Sequence, residues 1–183
     1  MKIQLRTLVI TALFIALTYV FTLINVNLLP WSPGGGGLTH LGNIPIFIAA
    51  ILFGKTTGAI VGGIGTALFD ITSEYLIWAP ATLIVNVLMA FAIGLIVENR
   101  KKIGSYLVAS GVAIAIKVVG YYIAELIIIA LTSSAEATAA SGAFWLIPIA
   151  SIPANIIQVV VAAVVVLPII DKLRVVADKF QNK

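Results

Sequence analysis

Cysteine is absent from this sequence, which excludes disulfides, thiolate metal sites and a thiol nucleophile while leaving the redox compartment open. Histidine occurs once, at His40, too few for a histidine-based metal site or a catalytic triad. Charge is scarce as well: Asp, Glu, Lys and Arg make up 10% of 183 residues, where a soluble domain carries about 25%. So few charges cannot solvate a globular surface of this size. A cytosolic enzyme, a disordered chain and a secreted disulfide scaffold are thereby excluded. What is abundant is apolar surface: hydrophobic residues reach 61% and mean hydropathy is +1.16. The chain needs lipid as its solvent.

A membrane helix needs about 20 apolar residues to cross about 30 Å of hydrocarbon. The first such run is 7–24, too long for a signal-peptide core and without a small-residue cleavage site, so it reads as a retained helix. Residues 25–43, with Pro30, Trp31, Pro33 and a run of four glycines, have loop chemistry. Two shorter helices, 44–53 and 57–71, flank a break at Gly54-Lys55-Thr56, and 70–75 form a polar turn. Further spans follow at 79–97, 103–131 and 144–170, the last ended by Asp171-Lys172-Leu173-Arg174 and a charged tail. The expectation is an all-α membrane protein: one domain, 1–183, forming a bundle of six transmembrane helices.

Basic residues gather in cytoplasmic loops, so their placement tests the topology. With the N-terminus inside, ten of the eleven basic residues fall on inner segments, the outer loops hold Asp70, Glu74 and Glu136, and only Lys117 lies within a span. Both termini are therefore expected in the cytoplasm. The net charge of +4 then reflects basic residues facing anionic headgroups rather than nucleic acid.

Gly54-Lys55-Thr56 looks like the end of a phosphate-binding loop, but the pattern needs an earlier glycine where this chain has Ala49. Any ATP-driven work belongs to another chain. The two halves of the chain show no internal repeat of the kind secondary transporters carry.

Ionisable and polar groups at membrane depth are costly and therefore functional candidates. Lys117, Tyr121 and Glu125 follow one another at helical spacing on a single stripe, and Ser151, Asn155 and Gln158 form a second. Trp78, Thr82 and Asn86 form a third, although Trp78 alone reads as an interfacial anchor. Each stripe also has a plainer reading as interhelical hydrogen bonding. At a rise of about 1.5 Å per residue, Glu125, Asn86, Ser151, Asn155, Lys117 and Gln158 lie from about 9 to about 21 Å below the outer surface. No comparable residues occupy the inner half. The pattern describes a pocket open outside and closed below, suited to a small polar, aromatic molecule. Trp31, Trp78, Tyr121 and Tyr122 offer stacking surfaces. His40, in the first outer loop, reads as a solvated residue or as a ligand-facing one. Near the inner end, Ala12 and Ala16 form a small-xxx-small patch of the kind that lets helices approach closely.

These pieces together resemble the substrate-binding S components of energy-coupling factor (ECF) vitamin transporters. The likeness rests on Ala12-xxx-Ala16, the segments 37–43 and 52–65, Asp70, and the segments 78–83, 120–125 and 152–158, in order along nearly the whole chain. Within that family it is most similar to the hydroxymethylpyrimidine/pyridoxine members, in a branch related to the riboflavin proteins. The resemblance implies a multi-pass subunit of a bacterial cytoplasmic membrane that captures a vitamin in its outer half, with the first loop as a lid. It implies docking through Ala12 and Ala16 onto a membrane T component driven by two cytoplasmic ATPases. It implies pocket roles for Asn86, Tyr121, Glu125, Asn155 and Gln158, with no cofactor and no metal. Relatives often carry a lysine where this chain has Asn86; here the buried lysine is Lys117. Riboflavin is the alternative substrate. An intramembrane enzyme using Glu125 and Lys117 as an acid–base pair, or a structural subunit, are the alternatives from other classes.

Overall fold

The computed structural model describes residues 5–28, 37–99, 102–131 and 143–181. Trp31 and Glu136 lie outside the described residues. The chain forms α1 (Leu5–Leu23), a short hairpin of β1 (Asn25–Asn27) and β2 (Leu38–His40), α2 (Asn43–Phe53) and α3 (Lys55–Ile71). A 3₁₀ turn at Leu76–Trp78 leads into α4 (Ala79–Val97), followed by α5 (Ile103–Leu131). The last part comprises a 3₁₀ turn at Ala143–Trp145, α6 (Ile147–Ala150), α7 (Ile152–Val166) and α8 (Ile170–Gln181).

Among the described residues, four stretches are long and apolar enough to cross a membrane: Leu5–Leu23, Leu76–Val97, Ile103–Leu131 and Ile147–Val166. With its helices wrapped in exposed leucine, isoleucine and valine, this is an all-α membrane protein carrying one small hairpin. α1 makes the point plainly. Its buried residues are Thr11, Thr18 and Thr22, while Leu8, Val9, Leu13 and Val20 face outward. Thr11 and Thr22 donate their hydroxyls to the carbonyls of Thr7 and Thr18, each at 2.7 Å, whereas Thr18 Oγ1 is buried without a hydrogen-bond partner.

The reading of 25–43 as irregular loop needs correction at its ends. β1 and β2 pair antiparallel, Asn25 opposite His40, and Leu28 N–H donates to the Gly37 carbonyl at 3.0 Å. The single span read over 144–170 is also broken. Pro148 and Pro153 occupy the first turns of α6 and α7, where a missing N–H costs nothing, and Ser151 separates the two helices. Pro168 lies in the break between α7 and α8. The tail beyond it is a helix: Ile170 and Ala177 are buried, and Arg174 donates to the Tyr106 hydroxyl and to Asp171.

The α2–α3 break is as expected, and its cause is local. Gly54 has φ of 91°, a conformation side chains disfavour, so the chain reverses there without a loop. α3 then serves as the packing hub. A Cβ on Gly58 would meet Ala50 of α2 at 2.6 Å, one on Gly62 the Asn86 carbonyl of α4 at 3.0 Å, and one on Gly65 Thr18 of α1 at 2.6 Å. Only glycine permits three such approaches from one helix. Phe47, Met89, Ile93, Val97, Val159, Val166 and Ile170 fill the bundle beneath, so the end carrying Lys55 is closed by apolar packing.

Candidate ligand pocket

The opposite end is hollow. A cavity containing about 510 Å³ of space free of atoms, partly open to solvent, lies where α3 ends, α4 begins and the hairpin folds over α5 and α7. Each wall follows from helical spacing. α5 supplies Tyr121 and Glu125, one turn apart; α7 and the residue before it supply Ser151, Asn155 and Gln158; α4 and its preceding turn supply Thr82 and Trp78. The hairpin contributes Leu38 and His40 as a roof.

Eight of the ten expected site residues therefore share one cavity: His40, Trp78, Thr82, Tyr121, Glu125, Ser151, Asn155 and Gln158. The other two stand behind its wall. Asn86 donates to Thr66 Oγ1 at 2.9 Å and to the Tyr121 hydroxyl at 3.4 Å, so it orients the tyrosine from below. Lys117, fully buried, donates to Asn43 Oδ1 at 3.2 Å and to Gln158 Oε1 at 2.7 Å, and lies 5.6 Å from the Tyr121 ring centre. Lys117 thus meets side-chain amides from α2 and α7. Ala12 and Ala16 are exposed on α1, away from the cavity.

The floor and roof are coupled. With its oxygen taken by Lys117, Gln158 donates its amide nitrogen to the Leu38 carbonyl of β2 at 2.6 Å. A lysine at mid-bundle thereby holds the hairpin shut through one side chain. Trp78 and Tyr121 stand 6.1 Å apart with rings tilted by 43°, flanking the space as an aromatic pair. Asn155 is anchored to the Ser151 carbonyl at 3.1 Å.

His40 is buried rather than solvated, because β2 turns it inward, and its Nδ1 accepts the Gly42 N–H at 3.1 Å. Burial first, and then the charge of Lys117, hold its imidazole well below the ordinary value of 6.5, so it stays neutral. The unfolded chain takes up a proton near pH 6.5 and the folded chain does not, so this residue's contribution to stability is present above that pH and is lost below it. His40→Asn keeps an acceptor for Gly42 and removes the titration. Melting profiles in detergent between pH 7.5 and 5 should fall more steeply for the wild type than for this variant; parallel profiles would contradict the assignment.

Thr22, Gly37, Leu38, Thr66, Asp70 and Tyr75 also line the cavity but were not among the expected site residues. For Asp70 a signal existed: a carboxylate closing an apolar helix. Thr22 and Thr66 gave none, since a threonine in a span usually bonds its own helix, as both also do here.

An inside-out helical bundle with a polar, aromatic-flanked cavity at one end is the architecture of a membrane protein that holds a small ligand. A family model described as "ECF-type riboflavin transporter, S component" matches residues 2–175, and the chain belongs to that family. That description names the S component of an ECF-type transporter, a membrane transport family, in keeping with the apolar helices of this chain. The chain is also similar to an "Uncharacterized protein in gap 3'region" of Pyrococcus woesei, 30% identical over 89 residues. That match covers 49% of this chain and 60% of the relative.

Proposed function

We propose that this subunit captures a hydroxylated heteroaromatic vitamin at the outer face of the cell membrane, with riboflavin the first candidate, and surrenders it to the cytoplasm when docked on its partners. The observation that carries the reading is the asymmetry of the bundle. One end is a cavity lined by amides, carboxylates and aromatic rings, and the other is packed shut with apolar side chains. Tyr121 and Trp78 suit a flat ring, while Glu125, Asn155 and Gln158 suit hydroxyls and ring N–H groups. Riboflavin is the ligand named in the family description.

A second reading, pyridoxine or hydroxymethylpyrimidine, draws on the depth of the polar lining. The pairs Tyr121/Glu125 and Asn155/Gln158 each span no more than about 6 Å along their helices, the scale of a single ring. In either case the proposed topology has six crossings and both ends in the cytoplasm. At 11 residues α2 rises only about 16 Å, so it is a short crossing roofed by the hairpin. The exposed Ala12/Ala16 face is proposed to meet the T component, with the ATPases beneath it.

Intrinsic tryptophan fluorescence of the purified chain tests the substrate. Titration with riboflavin should give saturable quenching, with a smaller amplitude in Trp78→Phe. Saturation by pyridoxine or hydroxymethylpyrimidine but not riboflavin would select the second reading. Saturable quenching by none of the three would overturn the vitamin reading.

A further inference from the structure

Asp70 closes α3 at the rim of the cavity, 4% exposed, and it lines the space. One of its oxygens is engaged: the Thr82 hydroxyl donates to the carboxylate. Thr82 in turn accepts from the Tyr121 hydroxyl at 3.3 Å, and Tyr121 accepts from Asn86. This relay crosses three helices and fixes the direction of the carboxylate. The other oxygen, Oδ2, is buried and has no hydrogen-bond partner. Across the cavity Ser151 Oγ is buried and unpartnered too.

A buried acceptor left without a donor is costly, and more so when it is charged. Natural structures keep such atoms rarely, and then for a reason. The nearby cation offers no remedy, since Lys117 donates to Asn43 and Gln158. We propose that Asp70 is a ligand-binding carboxylate, which selects vitamins that bring a hydroxyl or N–H donor to Oδ2 and carry no negative charge. This rests on the reading that the cavity takes a hydroxylated ring vitamin. Donor selection follows because an ionised carboxylate only accepts. Charge selection follows because Glu125 lines the same cavity, so an anion would enter a space holding two carboxylates. The free vitamin is thereby favoured over its phosphate ester.

The test compares wild type with Asp70→Asn in two measurements. In the first, riboflavin, pyridoxine, hydroxymethylpyrimidine and riboflavin 5′-phosphate are titrated by fluorescence. The variant should lose at least tenfold in affinity for whichever free vitamin binds, and its preference for riboflavin over the phosphate should narrow. Unchanged affinity and preference would overturn the assignment while leaving the vitamin reading intact. In the second, the melting temperature of the ligand-free chain is compared. An amide relieves a buried, half-satisfied charge, so the variant should match or exceed the wild type. A clearly lower value would make Asp70 a structural member of the relay and overturn the proposal. If wild type binds none of the four compounds, the vitamin reading fails and the assignment of Asp70 falls with it.

Discussion

Replacing Lys117 with methionine is expected to cut ligand affinity by about 30- to 100-fold, a loss of about 2–3 kcal/mol, while moving the melting temperature little. The two effects separate because the opposing terms act on different properties. Methionine has similar length and fills the same space, and it removes a cation from a fully buried position, which relieves desolvation. Against this, Asn43 Oδ1 and Gln158 Oε1 lose their donor, at about 1–3 kcal/mol each. For stability these terms nearly cancel. For binding they do not, because Gln158 is released to rotate and the Leu38 carbonyl loses the contact that holds the hairpin over the cavity. Lys117→Ala adds a void and should lower the melting temperature as well. Titration and scanning fluorimetry on the two variants check this; methionine with wild-type affinity would show that the floor does not shape the ligand site.

A second large effect is expected far from the cavity. A Cβ at Gly94 would lie 2.4 Å from Lys55 Cα and 2.5 Å from its backbone nitrogen, and backbone cannot rotate away. Gly94→Ala must push the start of α3 off α4, disturbing the 2.7 Å Lys55–Glu98 ion pair. Overpacking of this kind costs about 1–3 kcal/mol. Gly111 on α5 provides the comparison: it is exposed, and a Cβ there meets nothing within 4 Å. Gly111→Ala should be neutral or slightly stabilising, by about 0.4–1 kcal/mol. Melting temperatures in the same detergent decide it; equal values for the two variants would contradict the packing described for α3 and α4.

Much of this architecture was legible from composition and spacing. α4 and α5 coincide with the apolar runs at 79–97 and 103–131, because a span in lipid is bounded by charge and turn residues and little else. The polar stripes were legible for the same reason: each amide or carboxylate stands alone in an apolar rod, and helical periodicity fixes which of them share a face. What periodicity does not supply is depth into the wall. Asn86 and Lys117 lie on the same stripes as Thr82 and Tyr121, yet they sit behind the lining, because the side chains above them occupy the space. The folding-back of the chain was also hidden. His40 became a roof residue through pairing of β1 with β2, a contact between segments of low apolar content. Proline breaks in the last span were visible as residues but not as geometry. Pro148 and Pro153 start helices, whereas Pro168 lies in a gap between two, and only packing distinguishes these roles.

The central claim is that the cavity captures a small hydroxylated aromatic molecule. Its most direct test is to purify the chain without added ligand, denature it, and identify any released small molecule by mass spectrometry, beside a Glu125→Gln/Asn155→Ala variant carried through the same steps. The account predicts a stoichiometric heteroaromatic vitamin, riboflavin first, in the wild type and its loss from a variant that still folds. Equal recovery of the molecule from both proteins, or a released compound with neither ring nor hydroxyl, would contradict it.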